Sequence, residues 1–155
     1  MKIKKFVWIK QSRGISLIEL MVVLAIMGVL AALAYPSYMQ HMSRRDRVQA
    51  VAALLEAQVF MERYYAMNQR YSLDSNGISA PVLPARLQAT PSLDAPRYIT
   101  QVQATLNSYT LTAVPQQAGS TWCDQISLTL THTGLKSGLM PDGATPTGDV
   151  ATCWR

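Results

Sequence analysis

The sequence predicts an α+β protein. One long, kinked N-terminal helix packs by its second half on a small antiparallel sheet, and a disulfide-closed loop ends the chain. Three observations predict it. Residues 15–34 form an apolar run, helical spacing of apolar residues continues to about residue 67, and short alternating segments follow between 98 and 131.

The charge distribution organises the N-terminus. The formal charge is +5, but Lys2, Lys4, Lys5, Lys10 and Arg13 place five cations and no anion in residues 1–14. The remainder carries nine basic and nine acidic residues and is formally neutral. The basic balance therefore belongs to a leader and does not by itself mark a nucleic-acid-binding surface.

The run ISLIELMVVLAIMGVLAALA at 15–34 contains a single charge, Glu19. Twenty apolar helical residues match a bilayer's hydrocarbon core, about 30 Å thick. Three readings compete. One is a secretory signal peptide, with Ala32-Leu33-Ala34 fitting cleavage before Tyr35. The second is an uncleaved anchor. The third is a leader removed ahead of the run, which then stays in the mature protein. Glu19 helps to separate them, because a carboxylate in an apolar span costs roughly 2.5–3.5 kcal/mol at the centre and less near the interface, and a signal peptide gains nothing from it. Ser16 and Glu19 also fit a capping box, the local explanation for the same charge. The five leader cations, set against Arg44, Arg45 and Arg47 farther out, place the leader on the cytoplasmic side.

Beyond the run, Val48, Ala52, Leu55 and Val59 recur at helical spacing, with Leu54 and Met61 widening the stripe. One helix over about 16–67 is predicted, about 78 Å long at 1.5 Å per residue. Its second half presents this stripe to a sheet. Pro36 removes a backbone donor and kinks it. Arg44, Arg45, Asp46 and Arg47 are expected in a solvated, headgroup-facing turn, with salt bridges between subunits as the sharper alternative.

Residues 74–97 change character. Asn76-Gly77 and Pro81, Pro84, Pro91 and Pro96 predict an irregular loop. Strands are predicted at 98–104, 109–114 and 126–131, with Ile126, Leu128 and Leu130 inward and Ser127, Thr129 and Thr131 outward. Asn107-Ser108 suits the hairpin between the first two. Residues 135–150, rich in Gly, Pro, Asp and Thr, read as loop. The two cysteines, Cys123 and Cys153, lie beyond an export signal and are expected to pair. A closure of this length contributes about 3–4 kcal/mol.

No catalytic constellation emerges. His41 and His132 stand apart, with no metal-ligand spacing, no nucleophile–base grouping and no glycine-rich phosphate loop after a strand. No enzyme activity and no cofactor are expected.

At Arg13-Gly14-Ile15-Ser16-Leu17-Ile18-Glu19 the chain resembles the type IV pilin family, whose pattern is a basic leader ending in Gly, then Phe-Thr-Leu-Ile-Glu and an apolar run. Ile15 replaces the usual Phe and Ser16 the usual Thr. Gly28 and Pro36 stand where pilin helices carry helix-weakening residues. Glu62-Arg63-Tyr64-Tyr65, Asn68-Gln69-Arg70-Tyr71, Trp122-Cys123 and Cys153-Trp154 resemble type IVa minor pilins of the PilE kind, a group that includes DNA-uptake pilins.

The resemblance implies a leader over 1–14, a membrane and filament-core helix over 15–43, and a pilin head over 44–155. It implies cleavage between Gly14 and Ile15 by prepilin peptidase, N-methylation of Ile15, and neutralisation of a neighbouring subunit's Ile15 amino group by Glu19. The precursor would sit in the inner membrane in a single pass with its C-terminal part periplasmic. The assembled subunit would be extracellular, with other pilins as partners. Two further functions stay open: a DNA receptor in natural transformation, with Arg86, Arg97, Lys136 and Arg155 as candidate patch, and a type II secretion pseudopilin. Cys123 and Cys153 favour a pilus over the latter. A secreted enzyme behind a signal peptide is disfavoured by the helical pattern that continues past Ala34.

Overall fold

A computed structural model describes residues 15–73, 80–90, 95–117, 119 and 121–155. The cationic leader with Gly14, the Asn76-Gly77 turn and Pro91 lie outside the described residues. The chain divides into two compact units, Met1–Ser37 and Tyr38–Arg155.

The first helix, α1, is assigned over Leu17–Asn68 and continues through Pro36. It starts behind Ser16, whose carbonyl accepts from the amides of Glu19 and Leu20. Within the first unit every described residue is exposed. The helix is long and apolar enough to cross a membrane. In the second unit α1 ends where Gln69 enters the left-handed region at φ 58°, a conformation that stops helices.

The face of α1 that enters the core differs from the predicted one. Arg47, Ala50, Leu54, Ala57 and Met61 are buried, whereas Val48, Leu55 and Val59 are 48%, 40% and 50% exposed. The two stripes have the same helical spacing and are offset by two residues, about 200° around the helix. Leu54 and Met61, expected at the margin, belong to the buried stripe. Ala50 and Ala57 bring little bulk, which leaves room for the large inward side chains of the sheet.

That sheet is a four-stranded antiparallel meander in the order β1-β2-β3-β4, with β1 at Tyr98–Ala104, β2 at Tyr109–Pro115, β3 at Ser127–Thr131 and β4 at Lys136–Leu139. Tyr98, Tyr109, Leu111, Ala113, Leu128 and Leu130 join the buried residues of α1 in one cluster. Three strands stand where alternation predicted them, with Ile126 just outside β3. The fourth corrects the predicted loop over 135–150. Lys-Ser-Gly-Leu shows no apolar alternation, and its pairing comes from a hairpin in which Gly134, at φ 80°, makes the turn. Gly138 permits the packing: a Cβ there would come within 2.9 Å of Ile126 Cδ1 and 3.2 Å of Val150 Cγ1. Thr129, expected outward and solvated, is only 3% exposed. It lies between Thr112 and Ser137 on the neighbouring strands and shares a 2.6 Å hydrogen bond with Ser137.

The predicted irregular stretch also holds some order. A short helix, α2, spans Ala85–Gln88 behind Pro84 and buries Leu87. Ala89 then bridges Ile99 on β1. One turn with one buried apolar residue is too short to register as a periodicity. The chain closes with two 3-10 turns, Trp122–Asp124 and Val150–Trp154, joined by the Cys123–Cys153 disulfide with a Cα–Cα distance of 5.4 Å.

Candidate functional site

The disulfide-closed C-terminal segment is fastened to α1 by one buried carboxylate. Asp124 Oδ1 accepts from Arg47 Nη1 at 2.7 Å, and its Oδ2 accepts from Thr121 N at 3.1 Å and Thr121 Oγ1 at 2.7 Å. Both charged side chains are almost fully buried, at 10% and 5% exposure. Arg47 therefore corrects the expected solvated turn. Arg44 and Arg45 are exposed, Asp46 is half-buried, and Arg47 faces the core. A cation three residues before Ala50 and seven before Leu54 must lie on the buried face and needs a buried partner. That signal could be read only with the correct stripe in hand.

The loop's far end is held separately. Asp149 Oδ1 accepts from Ala151 N at 3.1 Å, and Trp154 Nε1 donates to Ser137 O on β4 at 3.2 Å. Trp122 is 40% exposed at the loop's start.

The four cations proposed as a patch are not gathered at one place. Arg86 pairs with Glu56 on α1. Arg97 precedes β1, with Nε 3.5 Å from Asp46 Oδ2 and Nη1 donating to Gln117 Oε1 at 2.6 Å. Lys136 lies on β4, the opposite edge of the sheet, with Nζ 5.5 Å from the centre of the Trp154 ring. Arg155 follows Trp154 directly and is exposed. Lys136 and Trp154 thus form one cation–aromatic contact, with Arg155 next in sequence, while Arg86 and Arg97 are each engaged by a carboxylate.

An aromatic cluster lies at the end of α1. Tyr71 sits between Tyr65 and Tyr109, with ring centres 4.6 Å and 4.8 Å away. Glu62 accepts from Tyr109 Oη at 2.8 Å and from Tyr71 Oη at 3.1 Å. Burial first, and then the Glu62 carboxylate, push the Tyr109 phenol well above its ordinary range. Tyr109 therefore acts as a neutral donor and a structural anchor. His132 meets Tyr109 edge-on at the margin, with ring centres 6.2 Å apart, and is exposed, as is His41.

Of the predicted assembly residues, Ile15 and Glu19 are exposed at the start of the apolar helix, and Gly28 and Pro36 lie inside it. A long apolar N-terminal helix whose second half carries a small antiparallel sheet, with a disulfide closing the C-terminal segment, defines a type IV pilin. The sequence comparisons place it more narrowly. Residues 36–127 match the family described as type IV minor pilin ComP, DNA uptake sequence receptor, and the chain belongs to that family. Residues 9–35 match the prokaryotic N-terminal methylation motif. No curated protein matches the chain. The chain is thus a minor type IV pilin. The family match covers most of the head and not the anchor alone, which favours a pilus subunit over a pseudopilin. The family is a structural one.

Proposed function

We propose that the chain is cut between Gly14 and Ile15 by prepilin peptidase, methylated at Ile15, and held in the inner membrane as a single-pass precursor with its head in the periplasm. It then enters a pilus with other pilins through α1. The observation that carries this reading is the exposed apolar surface of α1. The first unit offers an apolar helix whose described residues are all exposed, and the second unit offers Val48, Ala52, Leu55 and Val59 on the face turned away from the core. Fully burying a side chain such as Val or Leu contributes about 1.5–3 kcal/mol, and neighbouring pilin helices are the partners that would supply this burial. Glu19 would neutralise the amino group of a neighbouring Ile15, since either charge alone is costly in an apolar core. The disulfide supports an oxidising compartment for the head.

Pili sheared from cells test this reading. Intact mass should show a subunit beginning at methylated Ile15, and Leu55→Asp and Glu19→Ala variants should be depleted from the fraction while accumulating in the membrane. A subunit beginning at Tyr35, or full entry of both variants, would overturn it.

A second reading, capture of DNA, is favoured by the family description and by the Lys136–Trp154 contact, which Arg155 follows in sequence. Cations neutralise phosphates and an indole offers a stacking plane. The formally neutral mature chain limits the phosphate contribution to such local groups. In gel retardation with the whole chain in detergent, the Lys136→Gln, Arg155→Gln double variant should weaken DNA binding. It should also reduce the salt dependence by about two phosphate contacts. Absence of wild-type binding at low salt would remove this reading and leave the first intact.

A further inference from the structure

Of the four consecutive charges Arg44, Arg45, Asp46 and Arg47, the fold turns two inward. Arg47 pairs with Asp124 at 2.7 Å and Asp46 with Arg97 at 3.5 Å. Arg44 and Arg45 are exposed and have neither a hydrogen bond nor an ion pair among the described residues. The positive-inside bias works against cations on the translocated side of a span, so two uncompensated guanidiniums there call for an anionic partner. We propose that Arg44 and Arg45, with the Tyr38 ring, bind the phosphates of anionic phospholipids in the periplasmic leaflet. The inference rests on the reading of the chain as a membrane-held precursor and names the lipid class that this precursor selects.

Tyr38 opens the part of α1 that belongs to the second unit and is 60% exposed. Tyr38, His41 and Arg45 follow one another at intervals of three and four residues and so share a face of the helix. All three are exposed. Arg45 stands two residues before the buried Arg47, about 200° around the helix from it, so this face is turned away from the core. Arg44 lies at the side, between the two. Tyrosine rings settle at the headgroup level of a bilayer, where the ring meets acyl carbon and the phenol meets water. A guanidinium offers a fork of N–H donors that matches phosphate oxygens in a bidentate pair, and its long apolar stem lets the charge reach the headgroups from a backbone placed farther out. Charge complementarity selects the anionic class, because a choline headgroup carries its own cation beside the phosphate. Val48, Ala52, Leu55 and Val59 continue the same face, which meets neighbouring subunits after assembly. The lipid contact therefore belongs to the precursor and is given up on leaving the membrane.

The test places the isotope-labelled full chain in nanodiscs of phosphatidylcholine alone and of an equal mixture with phosphatidylglycerol. The side-chain Nε–H signals of Arg44 and Arg45 should shift between the two and exchange several-fold more slowly with water in the mixture, while that of Arg47 stays in place. In the Arg44→Gln, Arg45→Gln variant the head should melt as the wild type does, since neither side chain has a partner in it, and the Tyr38 ring signals should lose their dependence on phosphatidylglycerol. Identical arginine signals in both discs, with the apolar helix embedded, would overturn the proposal and leave the precursor reading intact. Absence of cross-relaxation between Leu24 or Ile26 and the acyl chains would show a helix that is not embedded, and both would fall. Arginine signals that move with subunit concentration and not with lipid would assign the pair to a neighbouring subunit and equally overturn the proposal.

Discussion

Asp124→Ala should destabilise the head by about 3–5 kcal/mol, making it one of the most damaging single substitutions outside the apolar core. The size follows from what the substitution leaves behind. Losing an ordinary hydrogen bond costs about 1 kcal/mol. Removing Asp124 instead strands the Arg47 guanidinium on the buried face of α1, where its charge is almost wholly screened from water. It also releases the Thr121 amide and hydroxyl, both of which donate to the same carboxylate. Arg47→Ala should cost a comparable amount by stranding Asp124. The double variant Arg47→Met, Asp124→Ala should recover much of the loss, because an apolar replacement removes both desolvated charges together. Thermal unfolding checks this, with each single variant melting roughly 10–20 °C lower. A loss of only about 1 kcal/mol in Asp124→Ala would mean that Arg47 swings out to solvent and that the pair does not fix the loop.

Why the sequence did not disclose this pair is plain from its geometry. Its partners are separated by 77 residues, and neither lies in a motif that names the other. Arg47 follows Arg44, Arg45 and Asp46, so the run reads as a solvated charge cluster. Only the helical phase distinguishes its last member, and phase was where the reading went astray. Val48, Ala52, Leu55 and Val59 are more apolar as a set than Ala50, Leu54, Ala57 and Met61. Hydrophobicity therefore pointed to the face that stays exposed in the isolated chain. A subunit has two apolar faces to satisfy, one in its own fold and one against neighbours, and periodicity alone cannot rank them.

What was legible rested on short-range chemistry. β2 and β3 alternate because one face of each is buried. The apolar run over 15–34 needs no tertiary context to be recognised, and Gly14 with Glu19 made the anchor motif readable. The cysteine pairing followed from there being two cysteines in an exported segment. β4 and α2 escaped because each is only four residues long and depends on neighbours: β4 on the Gly134 turn and pairing with β3, α2 on Leu87 entering the core. The scattered cations show the same limit. Arg86, Arg97, Lys136 and Arg155 were grouped by sign, and only the fold places Arg97 and Lys136 at opposite edges of the sheet.

Replacing both Cys123 and Cys153 by Ala should cost about 3–4 kcal/mol, close to the loss in Asp124→Ala but by a different route. The bridge closes a loop with a sequence separation of 30, and its contribution comes chiefly from restricting the unfolded chain. The folded head should therefore stay nearly unchanged. Trp154 still donates to Ser137, the Asp149 side chain still caps the last turn, and Arg47 still holds Asp124. Denaturant titration separates the two mechanisms. Without the bridge the unfolded state expands and exposes more surface, so the dependence on denaturant should steepen as the midpoint falls. In Asp124→Ala the bridge remains, and the midpoint should fall at constant slope. A cysteine-free variant with the wild-type midpoint would mean that the polar contacts of the loop suffice to hold it. An intact slope with a lower midpoint would place the contribution in the native packing of Cys123 and Cys153, both buried beside the inward face of the sheet.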